Sequence, residues 1–337
     1  MFDVFVFSFN AVAPILLLVL LGLILKKAHF AGEEFFKKAN SLVFKVFLPI
    51  MLFCNVYEIE SLGSVNWRAA VYSVFAVLLF CALGFLCCRL FVKKQEQKGV
   101  IIQCSFRSNH AIIGIPLAQS LGGAEALSFA CLLSAVAIPL FNVLAVLCLS
   151  HYSAVDEKPH FSDTLKKTVK NPLIIAVACG AAFLLVRSFL PKGADGVAVF
   201  TIKNNLPFLW NALSSAAKIA SPLALVVLGA RFDFAAVREL RRQISLGVIL
   251  RNLVSPALGI GLALLLSNKF SLFPVTANEL PAFISVFGSP AAVSSAVMVS
   301  EIGGDDQLAT QLVVWTSIVS LFSVFLTVFV LKSAALL

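Results

Sequence analysis

Four basic residues, Lys45, Arg107, Lys218 and Arg251, stand inside long apolar stretches of the chain. No acidic residue is comparably deep: Asp3, Glu58, Glu60, Glu125, Glu301, Asp305 and Asp306 all fall at or near the ends of such stretches. A charge in hydrocarbon costs at least ~2.5–3.5 kcal/mol on the most lenient scale, so it is usually paired or functional. With no protein anion at that depth, an anionic substrate is the expected partner. The alternative is snorkelling, in which a long basic side chain reaches the headgroups. Lys45, Arg107 and Arg251 lie about seven residues, ~10 Å, from a stretch end, where snorkelling and ligand binding explain them equally. Lys218 lies ~18 Å from either end by helical rise. Snorkelling explains it least, and it is expected to supply positive potential to a substrate pathway.

The densest polar run is Ser105-Phe106-Arg107-Ser108-Asn109-His110, followed by Gly114-Ile115-Pro116. Asn109 can donate to a carboxylate or accept from a water or cation, which suits a binding site. His110 points away from Asn109 on a helix, and a lone His of this kind reads as structural. Proline removes a backbone donor and clashes with the preceding turn, and in lipid the freed carbonyls need partners. Gly114-x-Pro116 and the later Gly288-x-Pro290, with Ser289 between, therefore predict interrupted helices lining a cavity. A simple kink is the competing reading, since proline is common in membrane helices. Two such sites at matched positions favour a binding site near the midplane.

The elements that carry these residues must be membrane spans. Of 337 residues, 60% are hydrophobic and only 13% charged, with mean hydropathy +0.98, which excludes a soluble globular domain. At ~20 residues per span, ten spans are expected: 7–26, 39–57, 69–92, 100–121, 125–150, 172–190, 206–229, 244–267, 281–300 and 307–332. The first has no base before it and no small-residue cleavage site, unlike a signal peptide. No gap holds a second domain, the longest being His151 to Asn171.

The net charge of +9 is distributed unevenly. Lys26, Lys27, Lys37, Lys38, Arg89, Lys93, Lys94, Lys98, Lys158, Lys166, Lys167, Lys170, Arg231, Arg238, Arg241 and Arg242 follow spans 1, 3, 5 and 7. The alternate loops hold only Arg68, Arg187, Lys192, Lys203 and Lys269. By the positive-inside rule both termini lie outside the cytoplasm, and the basic charge sets topology rather than nucleic-acid binding. The eight cysteines all lie in apolar segments without metal spacing and read as packing residues, so neither a metal site nor a cofactor is expected.

Ten spans divide into two fives, and an odd number per half inverts the second. Lys45-x-x-x-Pro49 in span 2 matches Lys218-x-x-x-Pro222 in span 7, and Gly114-x-Pro116 in span 4 matches Gly288-x-Pro290 in span 9. The Gly-Gly pairs beginning at Gly122 and Gly303 fall out of that register by about two helical turns. The expected halves are 1–150 and 172–337, joined by a cytoplasmic linker at 151–171.

At these residues the chain resembles the auxin efflux carrier family, which includes plant auxin exporters and bacterial malate and malonate permeases. The likeness rests on Ser108-Asn109 leading into Gly114-Ile115-Pro116-Leu117, and on Ser289-Pro290 leading to Val299-Ser300-Glu301. Further matches are Gly22-Leu23-Ile24-Leu25, Asn40 with Leu48-Pro49, and Arg251 with Ser255-Pro256. The long central loop of the plant exporters is absent, as in short bacterial members. The resemblance implies an all-α fold of two inverted five-helix repeats, like bile-acid symporters and the NhaA antiporter, with spans 4 and 9 broken and crossing. Helices 1, 2, 6 and 7 would form a scaffold, and helices 3–5 with 8–10 an elevator-like transport domain. The implied site centres on Asn109, Pro116 and Pro290, and auxin specificity does not carry over.

A sodium/proton antiporter would need deep acids, and none appears. A sodium-coupled symporter stays open, because Ser108, Asn109, Ser289 and unwound carbonyls could hold a cation; a channel or receptor is a weaker rival. An intramembrane protease lacks both a mid-span Gly-x-Ser facing a His and a deep Asp pair, so no enzyme is expected. The expected partners are a small organic anion, the lipid of a bacterial plasma membrane, a coupling sodium ion or proton, and a second copy of the chain.

Overall fold

The computed structural model describes residues 2–58, 67–153, 169–191, 199–268 and 279–337. Most of the expected linker at 151–171 lies outside the described residues. Among the described residues the chain is helical, with a single isolated β-bridge. The helices are α1 (Phe2–Lys27), α2 (Glu33–Tyr57), α3 (Trp67–Phe91), α4 (Gln95–Phe106), α5 (Ile115–Tyr152), α6 (Pro172–Phe189) and α7 (Ile202–Asn205). There follow α8 (Pro207–Arg231), α9 (Phe234–Glu239), α10 (Arg241–Ser267), α11 (Leu280–Gly288), α12 (Ser294–Ile302) and α13 (Asp306–Ser333).

Seven segments among the described residues are long and apolar enough to cross a membrane: Glu33–Tyr57, Arg68–Phe91, Phe129–Tyr152, Pro172–Phe189, Pro207–Arg231, Arg241–Ser267 and Asp306–Ser333. The stretches expected as spans 4 and 9 are not continuous helices. The first is divided between α4, of 12 residues, and the start of α5; the second is divided between α11 and α12, of 9 residues each. α5 itself breaks at Gly122 and Gly123, where Gly123 adopts φ 68°, a left-handed conformation that a Cβ disfavours. The second Gly-Gly pair ends α12 in the same way, with φ 119° at Gly303 and 138° at Gly304.

Three helices contain a wide, π-type turn: Val43–Phe47 in α2, His110–Gly114 leading into α5, and Leu250–Val254 in α10. Each ends two residues before a proline, Pro49, Pro116 or Pro256. A proline ring collides with the carbonyl four residues back and offers no N–H to it. Widening the turn relieves that collision, and such turns recur at functional sites. Here they carry Lys45, His110 and Arg251.

The helices pack as two groups, which meet where α1 lies on α13. α1 lies on α8, and α2 lies on both α6 and α8. Gly22 faces the backbone of Val226 and Ala230, while Gly229 faces the backbone of Val19, so neither position has room for a side chain. Small residues allow this close approach, which replaces the hydrophobic drive that lipid cannot supply. In the other group α3 packs on α4, α5 on α4 and α11, and α10 and α12 on α13. A ladder of aromatic edges, Tyr72, Phe283, Phe287 and Phe80, ties α3 to α11.

Candidate functional site

The two interruptions meet. α4 ends at Phe106 and Arg107 turns extended (φ −86°, ψ 103°); α11 ends at Gly288 and Ser289 turns extended (φ −66°, ψ 148°). The N–H of Asn109 donates to the carbonyl of Pro290 at 2.8 Å, and the N–H of Ala292 donates to the carbonyl of Arg107 at 3.2 Å. These bonds form the antiparallel bridge between Ser108 and Ala291. Pro290 lacks an N–H, so its place in the bridge leaves no donor without a partner.

Arg107 is 3% exposed. Its guanidinium donates to Asn142 Oδ1 at 2.8 Å and Ser294 Oγ at 2.9 Å, and contacts the sulfur of Met298. No carboxylate among the described residues pairs with it. Beside it, Asn109 Nδ2 and Ser108 Oγ are buried without a hydrogen-bond partner. Buried polar atoms are nearly always satisfied; of the eight unpartnered ones among the described residues, these two belong to residues that line a cavity.

A cavity of about 50 Å³ opens at this point. Arg107, Ser108, Asn109 and Ser294 line it from the crossing, Asn142 from α5, Asn55 from α2 and Ser221 from α8. It therefore lies between the two helix groups. At ~10–15 Å³ per water, it holds a few small atoms in this conformation. It sets a buried guanidinium beside an amide N–H and a hydroxyl that have no protein partner.

The other sequence candidates do not reach the cavity. Lys218 is exposed on α8 and is absent from the lining. Arg251 is 1% exposed and donates only to carbonyls: Ser289 and Phe287 at 2.8 Å, Val286 at 3.0 Å and Ser105 at 3.4 Å. Lys45 lies 4.0 Å from Glu301 at the end of α12, which also accepts from Asn40 Nδ2 at 3.3 Å and Ser41 Oγ at 3.4 Å. The expectation that none of the embedded bases has a protein anion therefore needs correcting for Lys45, because the fold brings an acid from a span end beside it.

Gly114 is a contact position: a Cβ there would meet Ser285 O at 2.6 Å and His110 Nδ1 at 2.7 Å. Ser289 Oγ donates to Ser285 O at 2.6 Å and is fully buried. Pro116 follows the wide turn rather than forming the break, which falls at Arg107 to Asn109 instead. His110 is enclosed, its ring nitrogens 3.1 Å from Ala130 O and 3.2 Å from Ser285 Oγ.

Asn55, Asn142, Ser221 and Ser294 were not singled out in the sequence. Asn55 and Asn142 each stand alone in an apolar run, so uncharged amides inside spans were the available signal.

A family model described as membrane transport protein matches residues 7–328. The chain is also 27% identical, over 321 residues, to an uncharacterized transporter of Methanothermobacter thermautotrophicus; the match covers 95% of this chain and 97% of that protein. Both similarities run through the crossing and the cavity, and neither points to catalysis. With a match over nearly its whole length, the chain belongs to the membrane transport protein family, the auxin efflux carriers, and is a multi-pass membrane transporter rather than an enzyme.

Proposed function

We propose that the protein carries a small organic anion, a carboxylate, across a bacterial plasma membrane by alternating access. The observation that carries this is the buried Arg107 without an acidic partner, set behind the unpartnered Asn109 amide and Ser108 hydroxyl in a cavity between two helix groups. In this reading α1, α2, α6 and α8 are the scaffold, and α3 to α5 with α10 to α13 move against them as the transport body. Ten spans in two inverted five-helix halves, 1–150 and 172–337, follow if α1 and each of the two divided stretches count as one span beside the seven continuous ones. Pieces of 9 and 12 residues are ~14–18 Å long, about half of a ~30 Å hydrocarbon core, which supports a crossing near the midplane.

Thermal shift of the purified protein with malonate, malate and the neutral malonamide tests the substrate class. A ligand that binds only the folded state raises the melting temperature. The dicarboxylates should raise it and the diamide should not. An equal response to all three, or none to any, contradicts a carboxylate site.

A further inference from the structure

The end of a half-helix in a membrane is an unfinished cation site. Its last carbonyls lack intrahelical partners and carry the negative end of the helix dipole. In transporters with broken helices, such ends and the unwound carbonyls beside them coordinate the coupling sodium ion. Here α4 and α11 both end at the crossing, so two such ends converge.

Several of their carbonyls are already occupied. Arg251, held by the wide turn in α10, reaches Val286, Phe287 and Ser289 at the end of α11 and Ser105 at the end of α4. Two carbonyls of the bridge serve the opposite strand: Arg107 O accepts from Ala292 N–H and Pro290 O from Asn109 N–H. Ser285 O accepts from Ser289 Oγ. Arg251 has no carboxylate partner among the described residues and does not line the cavity, so neither an ion pair nor substrate contact accounts for its burial. A guanidinium presents five donors in a fixed plane and keeps its charge, which suits it to gather several carbonyls at once.

We propose that Arg251 is a built-in replacement for a coupling cation, holding the two half-helix ends together so that the carrier moves its anion without sodium. This deepens the carboxylate reading above and rests on it. Without a co-transported cation, an interior-negative membrane potential favours export, and uptake requires an exchanged anion.

The test begins without any carboxylate. The full-length protein is melted in sodium, potassium and N-methylglucamine chlorides at matched ionic strength, alongside Arg251→Lys and Arg251→Ala. The wild type should melt at one temperature in all three salts. Arg251→Ala should melt lower and be raised by more than about 2 °C by millimolar guanidinium or by sodium, with Arg251→Lys between the two. A sodium-specific rise of that size in the wild type overturns the proposal, as does an Arg251→Ala protein that melts like the wild type or gains from neither ion. Should Arg251→Ala not fold, the wild-type salt series and Arg251→Lys still decide. A second arm measures efflux of labelled malonate from proteoliposomes in sodium and in potassium. Equal rates support the proposal, and a rate more than about fivefold higher in sodium overturns it. Failure of malonate to bind or move at all would defeat the carboxylate reading, while the salt series still reports on Arg251.

Discussion

The backbone N–H of Asn109 donates to the carbonyl of Pro290, 2.8 Å away and 181 positions along the chain, counted as 290 − 109. With the bond from the Ala292 N–H to the Arg107 carbonyl it joins the two broken helices, where Asn109 lines the cavity. Replacing Pro290 by Ala keeps the acceptor but adds a buried N–H and frees Ser289 to continue α11. We expect Pro290→Ala to lower stability by ~1–3 kcal/mol and to cut transport at least about tenfold. Melting and flux of the extracted protein check both. Unchanged flux would mean that the bridge does not set the site.

Arg107 lines the cavity and Lys218 does not, so the proposed site draws its charge from Arg107. Arg107→Gln should weaken carboxylate binding by ~1.5–3 kcal/mol, the range of a charge-assisted hydrogen bond, and Arg107→Lys should recover little because the fork to Asn142 and Ser294 is lost. Lys218→Gln, at an exposed position of α8 that is not itself in the lining, should leave the affinity within about twofold. Isothermal titration with malonate measures all three. A large loss in Lys218→Gln alone would place the anion path along α8 instead.

The α1–α8 contact depends on Gly22 and Gly229, each facing the other helix's backbone. Gly22→Leu should destabilise by ~1–3 kcal/mol or more through overpacking. Gly261→Ala, at a helical glycine where an added Cβ meets nothing within 4 Å, should be neutral or slightly stabilising. Melting temperatures of the two variants in one detergent give the comparison. Equal stability would contradict close packing of α1 on α8.

The loop charges predict an orientation with both termini outside the cytoplasm. In a cysteine-free background, Cys at Lys38 and Arg238 should be shielded from an impermeant thiol reagent added outside, and Cys at Lys203 should react. The reverse pattern would invert the topology.

Much of this was legible in the sequence. Hydropathy exposed the seven segments long and apolar enough to cross a membrane, and Gly-x-Pro marked the two stretches that are divided, because proline and glycine act locally. Asn109, Ser108 and Arg107 stood out as a polar run in an apolar context. The position of the first break was misplaced by several residues: a wide turn absorbs Pro116, and the chain opens instead at Arg107. The fate of the other bases could not be read from spacing. Arg251 finds its partners on α11 and α4, and Lys45 finds Glu301 on α12; both depend on how distant helices cross. Asn55 and Asn142 were passed over because a neutral amide attracts less notice than a charge.

Labelled malonate exchange across proteoliposomes, compared between wild type, Asn109→Ala and the Arg107→Gln/Asn109→Ala pair, tests the crossing most directly as an anion site. The account predicts exchange in the wild type, a loss of about tenfold or more in Asn109→Ala, and no measurable exchange in the pair, all in protein with an intact melting transition. Wild-type rates in the double variant would contradict it.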